Sequence, residues 1–200
     1  SGVHGWDQAA FGNPVDIWAT GGTYGRVYTL TQTGKMYACG YNVGGDLGVG
    51  DSSNKTAWTL VKDWGTEGGI KKFATCANQY SSSAVIAGNG TLWMWGNNSA
   101  GNFGEGDTTD HTSPTRVGSD ADWQNCWIFN PSGDGTFSFF GTRGSSQISN
   151  NLWFAGAGAN YISGQGTNGN QSSFVQPLDS YGVAITNIVN VKAYSGTGGN

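Results

Sequence analysis

The chain is poor in the side chains that carry most enzyme chemistry. Its 200 residues include only two histidines, His4 and His111, and three cysteines, Cys39, Cys76 and Cys126. Nucleophilic hydrolysis needs a base beside the nucleophile, usually histidine. His4 stands near the start and His111 in the loop "DTTDHTSP", where a solvated turn accounts for the Asp110-His111 pair. Three dispersed cysteines with no CxxC pair make neither a disulfide framework nor a zinc site. Cys39, inside an apolar strand, reads as a small buried hydrophobe. Asp107 and Asp110 do not form a calcium loop. The expectation is no metal and no cofactor.

Charge is equally scarce. Charged residues make up 11%, against about 25% in an ordinary soluble domain. The formal charge is −4 and the nine basic residues are scattered, with Lys71-Lys72 the only adjacent pair. Nucleic-acid binding needs a basic stripe to neutralise phosphates, and none is present. No apolar run reaches the ~20 residues that cross a bilayer. The opening "SGVHGWDQAAFG" has neither the basic nor the apolar region of a signal peptide. It also lacks a leading Met, which suggests a processed chain or a fragment of a longer one.

Glycosidase chemistry needs two facing carboxylates. Asp63, Asp120, Asp122 and Asp179 fall where loops between strands are expected. Asp16, Asp46, Glu67 and Glu105 remain as candidates that sequence alone does not bring together. The reading is a protein that is not an enzyme.

What the chain does have is 35 glycines, nine Trp, eight Tyr and nine Phe, with no sustained helical periodicity. The glycines recur in phase. "YACGYNVGGDLGVGDSSN" occupies 37–54, "LWMWGNNSAGNFGEGDTTD" 92–110 and "LWFAGAGANYISGQGTNGN" 152–170. The glycine ending each strand is Gly40, Gly96 and Gly156. The same offsets align Gly48, Gly104 and Gly164, then Gly50, Gly106 and Gly166. Asp51 and Asp107 follow the last glycine, where a short carboxylate caps backbone N–H groups. A phosphate loop is excluded: the Lys-Ser/Thr of a P-loop is missing and no helical pattern follows.

Written out, the units divide the chain into an N-terminal segment 1–14 (the end of a preceding unit), repeats at 15–69 and 70–123, a looser repeat at 124–185, and the start of a fourth at 186–200. Each full unit reads as up to four short strands. Asn89-Gly90 predicts a type I′ hairpin turn, with Thr33-Gly34 at the equivalent place. Leu47 and Phe103, between glycines, are expected to drop into the layer between units, and Trp93, Trp95 and Trp153 to belong to the core. Sequons at Asn54, Asn89, Asn97 and Asn170 are what chance supplies in so Asn-, Ser- and Thr-rich a chain. Short strands recurring every 50–60 residues point to an all-β, β-propeller-type array of about three blades plus partial flanking strands.

The pattern of strand, Gly, Asn, Gly, apolar residue, Gly, x, Gly, Asp resembles the regulator of chromosome condensation repeat. It is carried by Gly40, Asn42, Gly45, Leu47, Gly48, Gly50 and Asp51, and by Gly96, Asn98, Gly101, Phe103, Gly104, Gly106 and Asp107. The third unit keeps Gly156, Gly164 and Gly166 but has Tyr161 and Thr167 where a Gly and the Asp belong. The resemblance implies a seven-bladed propeller, which at this repeat length needs close to twice this chain. The chain is therefore expected to be part of a larger protein or assembly. The exchange-factor activity of the family's founding member belongs to loops and a basic tail that this chain lacks, and is not carried over.

On this reading the chain is a non-catalytic binding or structural module of a virion (a phage tail fibre or decoration protein) or a cell-surface assembly. It would contact neighbouring protein chains or a host glycan through rigidly held loops. Tyr80, Asn160 and Tyr161 are the candidate ligand-binding residues. The alternative is an intracellular, cytoplasmic protein-binding propeller of the chromosome-condensation-regulator type, and a more distant one a carbohydrate-active enzyme.

Overall fold

A computed structural model describes residues 5–76, 78–130, 136–146, 149–158 and 162–191. After a single helical turn, α1 (Gln8–Phe11), the chain forms three antiparallel sheets of four strands each. The first contains β1 (Pro14–Thr20), β2 (Arg26–Thr31), β3 (Lys35–Gly40) and β4 (Lys55–Asp63) in that spatial order. The second contains β5 (Ile70–Thr75), β6 (Ser82–Ala87), β7 (Leu92–Gly96) and β8 (His111–Val117). The third contains β9 (Trp123–Phe129), β10 (Ser138–Gly144), β11 (Asn150–Gly156) and β12 (Gln171–Val175). Each sheet is thus a meander of strands adjacent in sequence, joined by hairpins and one long elbow.

The sheets stack face to face, and the period of two along each strand decides which neighbour a side chain meets. In β6, Val85 and Ala87 join the seam with the first sheet, beside Tyr28, Met36, Leu47, Trp64 and Trp95. Ala84 and Ile86, on the opposite face, join Met94, Phe103, Trp123, Cys126 and Phe139 in the seam with the third sheet. This double burial explains why "SSAVIA" is inaccessible along its whole length and reads as a continuous run instead of an alternation. Leu47 and Phe103 are fully buried in successive seams, each contributing about 1.5–3 kcal/mol by burial. The outer face of the third sheet holds Phe140, Leu152 and Phe154, with Ile185, Ile188 and Val191 packed against it.

The hairpin turns differ from the type I′ prediction. Gly34 donates its N–H to the Thr31 carbonyl (3.0 Å) and Gly90 to that of Ala87 (2.9 Å). Only the glycines have positive φ, +86° and +82°. Among the described residues Asn187 is the sole non-glycine with positive φ, so Asn89 does not take the conformation a type I′ turn needs. Its side chain instead accepts from Thr91 N (3.2 Å) and Thr91 Oγ1 (2.7 Å). The turn is therefore a three-residue loop closed by a left-handed glycine. All three cysteines are free thiols. Burial pushes Cys76 and Cys126 up to about 12.

Candidate functional site: elbows and the loop cluster they carry

The elbow between the third and fourth strand of each sheet does the positioning. All nine phased glycines, Gly40, Gly48, Gly50, Gly96, Gly104, Gly106, Gly156, Gly164 and Gly166, have positive φ. At the strand end no side chain fits at all. A Cβ on Gly40, Gly96 or Gly156 would stand 2.4, 2.1 or 2.3 Å from the carbonyl oxygen of Gly25, Ser81 or Phe137.

Each of the first two elbows then crosses into the following sheet. A Cβ on Gly48 would meet the Trp95 indole at 2.7 Å, and one on Gly104 the Phe174 ring at 2.6 Å. Gly50 donates to Thr112 O (2.8 Å) and Gly106 to Ser172 O (2.7 Å). Asn42 accepts from Leu47 N (2.8 Å) and donates to Asp51 O (2.8 Å). Asn98 does the same with Phe103 N (2.9 Å) and Asp107 O (3.3 Å). Asp51 and Asp107 accept from Ser53 N (2.8 Å) and Thr109 N (3.0 Å), in the capping role expected of them.

One repeated position escapes the sequence reading. Asn54, Asp110 and Asn170 stand fourteen residues after Gly40, Gly96 and Gly156. Their side chains accept from the backbone N–H of Asn42 (2.8 Å), Asn98 (2.6 Å) and Gly158 (3.3 Å). The common offset was the available signal. It is obscured because two members look like sequons and the third like half of an Asp-His turn.

The second feature absent from the sequence reading is a buried ion pair. Arg26 Nη2 lies 2.9 Å from Asp46 Oδ2, and both side chains are fully inaccessible. Arg26 also donates to the carbonyls of Tyr41 (3.1 Å), Asn78 (2.8 Å) and Gln79 (3.3 Å). Asp46 accepts from Ser81 N (2.5 Å) and Gly44 N (3.1 Å). Its carbonyl takes the Tyr28 hydroxyl (2.6 Å) and the Trp95 indole (2.9 Å). Burial pushes the Tyr28 phenol up to about 12. This one pair therefore ties together the start of β2, the first elbow and the β5–β6 loop.

The loops it joins carry amphipathic side chains. Tyr24 and Tyr41 meet edge to face at 4.9 Å, and the Arg26 guanidinium sits 5.7 Å from the Tyr41 ring centre. Val43 is 43% exposed and Tyr80 42%, and the Tyr80 ring rests against Gly44. Of the candidate ligand residues, Tyr80 lies half-exposed beside Gly44 of the first elbow. Asn160 and Tyr161 lie outside the described residues.

Three of the four carboxylates left open by the sequence are engaged by partners of their own. Asp46 is ion-paired as above, and Glu67 pairs with Lys62 at 3.0 Å. Asp16 accepts from Ile17 N (2.8 Å), and Glu105 pairs with Ser173 through its backbone alone in an isolated β-bridge. Among the described residues no cluster of three His, Cys, Asp or Glu could hold a metal ion. No helix among them is long and apolar enough to cross a membrane.

Four-stranded meanders stacked about a common direction, each passing an elbow to the next, are the blades of a β-propeller. No protein-family model matches the chain. Curated relatives do. The X-linked retinitis pigmentosa GTPase regulator of Canis lupus familiaris is 36% identical over 95 residues, 46% of this chain and 9% of that protein. The protein RCC2 homolog of Danio rerio is 32% identical over 81 residues (40% and 16%). The ultraviolet-B receptor UVR8 of Arabidopsis thaliana is 28% identical over 88 residues (44% and 19%).

Solved propellers superpose on most of the chain. Prp20p of Saccharomyces cerevisiae gives a TM-score of 0.62 at 15% identity, covering 82% of this chain and 38% of that one. Human WBSCR16 gives 0.58 at 18%, covering 84% and 40%. The chain consists of RCC1-like repeats folded as propeller blades. It spans less than a fifth of these curated relatives and about two fifths of these solved propellers.

Proposed function

We propose that the chain is a non-catalytic, protein-binding segment of an RCC1-type propeller that works inside the cell. It engages its partner through the loop cluster of Tyr24, Tyr41, Val43 and Tyr80. The observation that carries this reading is the cluster's construction. Tyr41, Val43 and Tyr80 sit on two loops that a fully buried ion pair ties together, and Tyr24 packs edge to face on Tyr41. Aromatic side chains with few rotatable bonds, placed on a fixed frame, are the usual energetic centres of protein interfaces.

Two solved structures of one neighbour, yeast Prp20, support the same reading. Prp20p is described with binding to Gsp1p and histones, and yeast RCC1 (Prp20) in complex with Kap60. The virion or cell-surface setting rests on composition alone, so it is the weaker reading.

Affinity capture from the source cells with the wild-type chain and with Tyr80→Ser and Tyr24→Ser variants tests the proposal. A protein retained by the wild type and lost from both variants, at unchanged melting temperature, is the expected result. Retention of a glycan and of no protein, or equal capture by all three chains, defeats it.

A further inference from the structure

Strand register singles out one face of the first sheet. Ile17, Thr29, Tyr37 and Leu60 stand directly opposite one another across β1 to β4, so they share that face. The same row is Phe73, Val85 and Trp93 in the second sheet and Cys126, Gly141 and Trp153 in the third. Both of those rows lie in a seam with the preceding blade. Aromatic side chains cover the second row: Trp18 and Tyr28 meet Phe73 at 5.0 and 4.9 Å. Trp64, on the linker that leaves β4, meets Trp93 at 5.7 Å. In the first sheet Trp6 and Phe11 close over Tyr37, but Ile17 and Leu60 stay exposed.

The other end of the array carries a projection. Outer strand β12 ends at Val175, and the chain leaves the sheet and returns at Thr186, which bridges to Asn151. Between these points Leu178 and Ala184 bridge to each other. Asp179 N donates to Val183 O (2.8 Å) and Gly182 N to Asp179 O (3.0 Å). Asp179 Oδ1 accepts from Tyr181 N (2.8 Å) and Val183 N (2.9 Å). The result is a small hairpin closed by its own hydrogen bonds, rooted where Ile185 and Ile188 pack on Phe140, Leu152 and Phe154. Residues 64–69 and 118–122 make the same exit from the first two blades without a hairpin. At its tip Tyr181 is 90% exposed, flanked by the exposed Val183 and Leu178.

We infer that this hairpin docks on the open face of the first sheet in a second copy of the chain, with Tyr181 against Ile17 and Leu60. The internal seam identifies the occupant. The equivalent face of the second sheet receives an aromatic side chain from the exit of the blade before it, as Trp93 receives Trp64. Tyr181 stands at that same exit from the third blade, with no blade beyond it among the described residues. The chemistry matches on both sides. Residues 177–188 contain no Lys or Arg, the Asp179 carboxylate is turned into its own turn, and the row on the first sheet is uncharged. A closed turn with an aromatic tip also loses little freedom on docking. Hairpin and face belong to different ends of the array, so the contact is heterologous and adds copies head to tail.

Sedimentation velocity of the 200-residue chain tests this between about 5 and 500 μM, a span that brackets small, transient interfaces. The average mass should rise with concentration and pass that of a dimer, and added salt should not reverse it. Tyr181→Ser and Ile17→Asp, both at exposed positions, should each stay monomeric. An equimolar mixture of the two variants should form a dimer and stop there, because Ile17→Asp keeps the hairpin and Tyr181→Ser keeps the face. A wild-type chain that is monomeric throughout overturns the inference, and is the outcome if this face belongs to a further blade of a longer protein. Association that survives Tyr181→Ser, or a variant mixture that stays monomeric, overturns it too.

Tyr80→Ser should self-associate as the wild type does, and Ile17→Asp should keep the Tyr80-dependent capture. Failure of one proposal is therefore distinguishable from failure of the other.

Discussion

The seam between the first two blades contains an ion pair where the next seam contains none, and the repeat itself supplies the control. Arg26 faces Gly40 across β2 and β3 just as Ser82 faces Gly96 across β6 and β7. Asp46 and Asn102 both stand two residues before the elbow glycine, Gly48 or Gly104. In the second seam Asn102 Nδ2 donates to Ser82 Oγ at 2.9 Å, a neutral contact in place of the charged one at 2.9 Å in the first.

Asp46→Asn alone leaves a fully buried guanidinium with only carbonyl partners. Breaking a buried pair in this way costs about 3–5 kcal/mol. Arg26→Ser alone leaves the carboxylate with only N–H donors and costs a similar amount. The double variant Arg26→Ser/Asp46→Asn installs the chemistry of the second seam. It should be destabilised by clearly less than the sum, with a coupling of about 2–3 kcal/mol, because no charge is then stranded. Equilibrium urea unfolding reads this directly. With a slope of about 2–3 kcal/mol/M, each single variant moves the midpoint down by about 1–2 M. If Asp46→Asn falls within about 0.5 kcal/mol of wild type, the pair is not holding the loops. If the double equals the sum, the two side chains are not coupled, and the reasoning fails.

Other substitutions test the elbows and thiols. Gly96→Ala, whose Cβ would lie 2.1 Å from Ser81 O, should cost several kcal/mol. Gly166→Ala, with positive φ but open space, should cost about 1 kcal/mol; equal thermal-melting shifts would refute the distinction. Asp110→Ala removes the acceptor of Asn98 N–H and should cost about 1–2 kcal/mol in urea unfolding, against little for Thr108→Ala. With Cys76 and Cys126 pushed up to about 12 by burial, both stay protonated thiols through pH 10. A thiol-disulfide reagent should then modify Cys39 first and the other two only on unfolding, so rapid labelling of three thiols in the native chain would contradict the packing.

The elbow glycines are legible in the sequence because backbone conformation is a property of the residue itself: a position that requires φ near +70° to +120° announces itself as Gly wherever the unit recurs. Asp51 and Asp107 are legible for the same reason, being local caps. Arg26 is not. Its position is occupied by Ser82 and Ser138 in the other blades, so nothing in the repeat marks it, and its partner lies on a different elbow position whose type also changes. The turn at Asn89-Gly90 shows the complementary error. The dipeptide matches a type I′ turn, but preceding Gly88 gives the loop a third residue, and Asn89 turns its side chain forward to Thr91.

The first blade carries this logic to the end of the array. Trp6 meets Tyr37 edge to face at 5.6 Å and 84°. Trp64 meets Trp93, the residue equivalent to Tyr37, at 5.7 Å and 88°. The outer face of the first blade is therefore built like an inter-blade seam, with one tryptophan already seated, although Val15, Ile17 and Leu60 stay 59%, 64% and 46% exposed on that sheet. A face with seam chemistry and incomplete cover should be the least protected part of the molecule. Trp6→Ala strips aromatic contacts with Tyr37, Phe11 and Trp58, worth about 0.5–1.5 kcal/mol each. Amide exchange should accordingly rise in β3 and β4 while β6 and β7, covered on both faces, keep their protection. Uniform acceleration across all three sheets would show instead that the blades unfold as one unit and that the first face is not a separate seam.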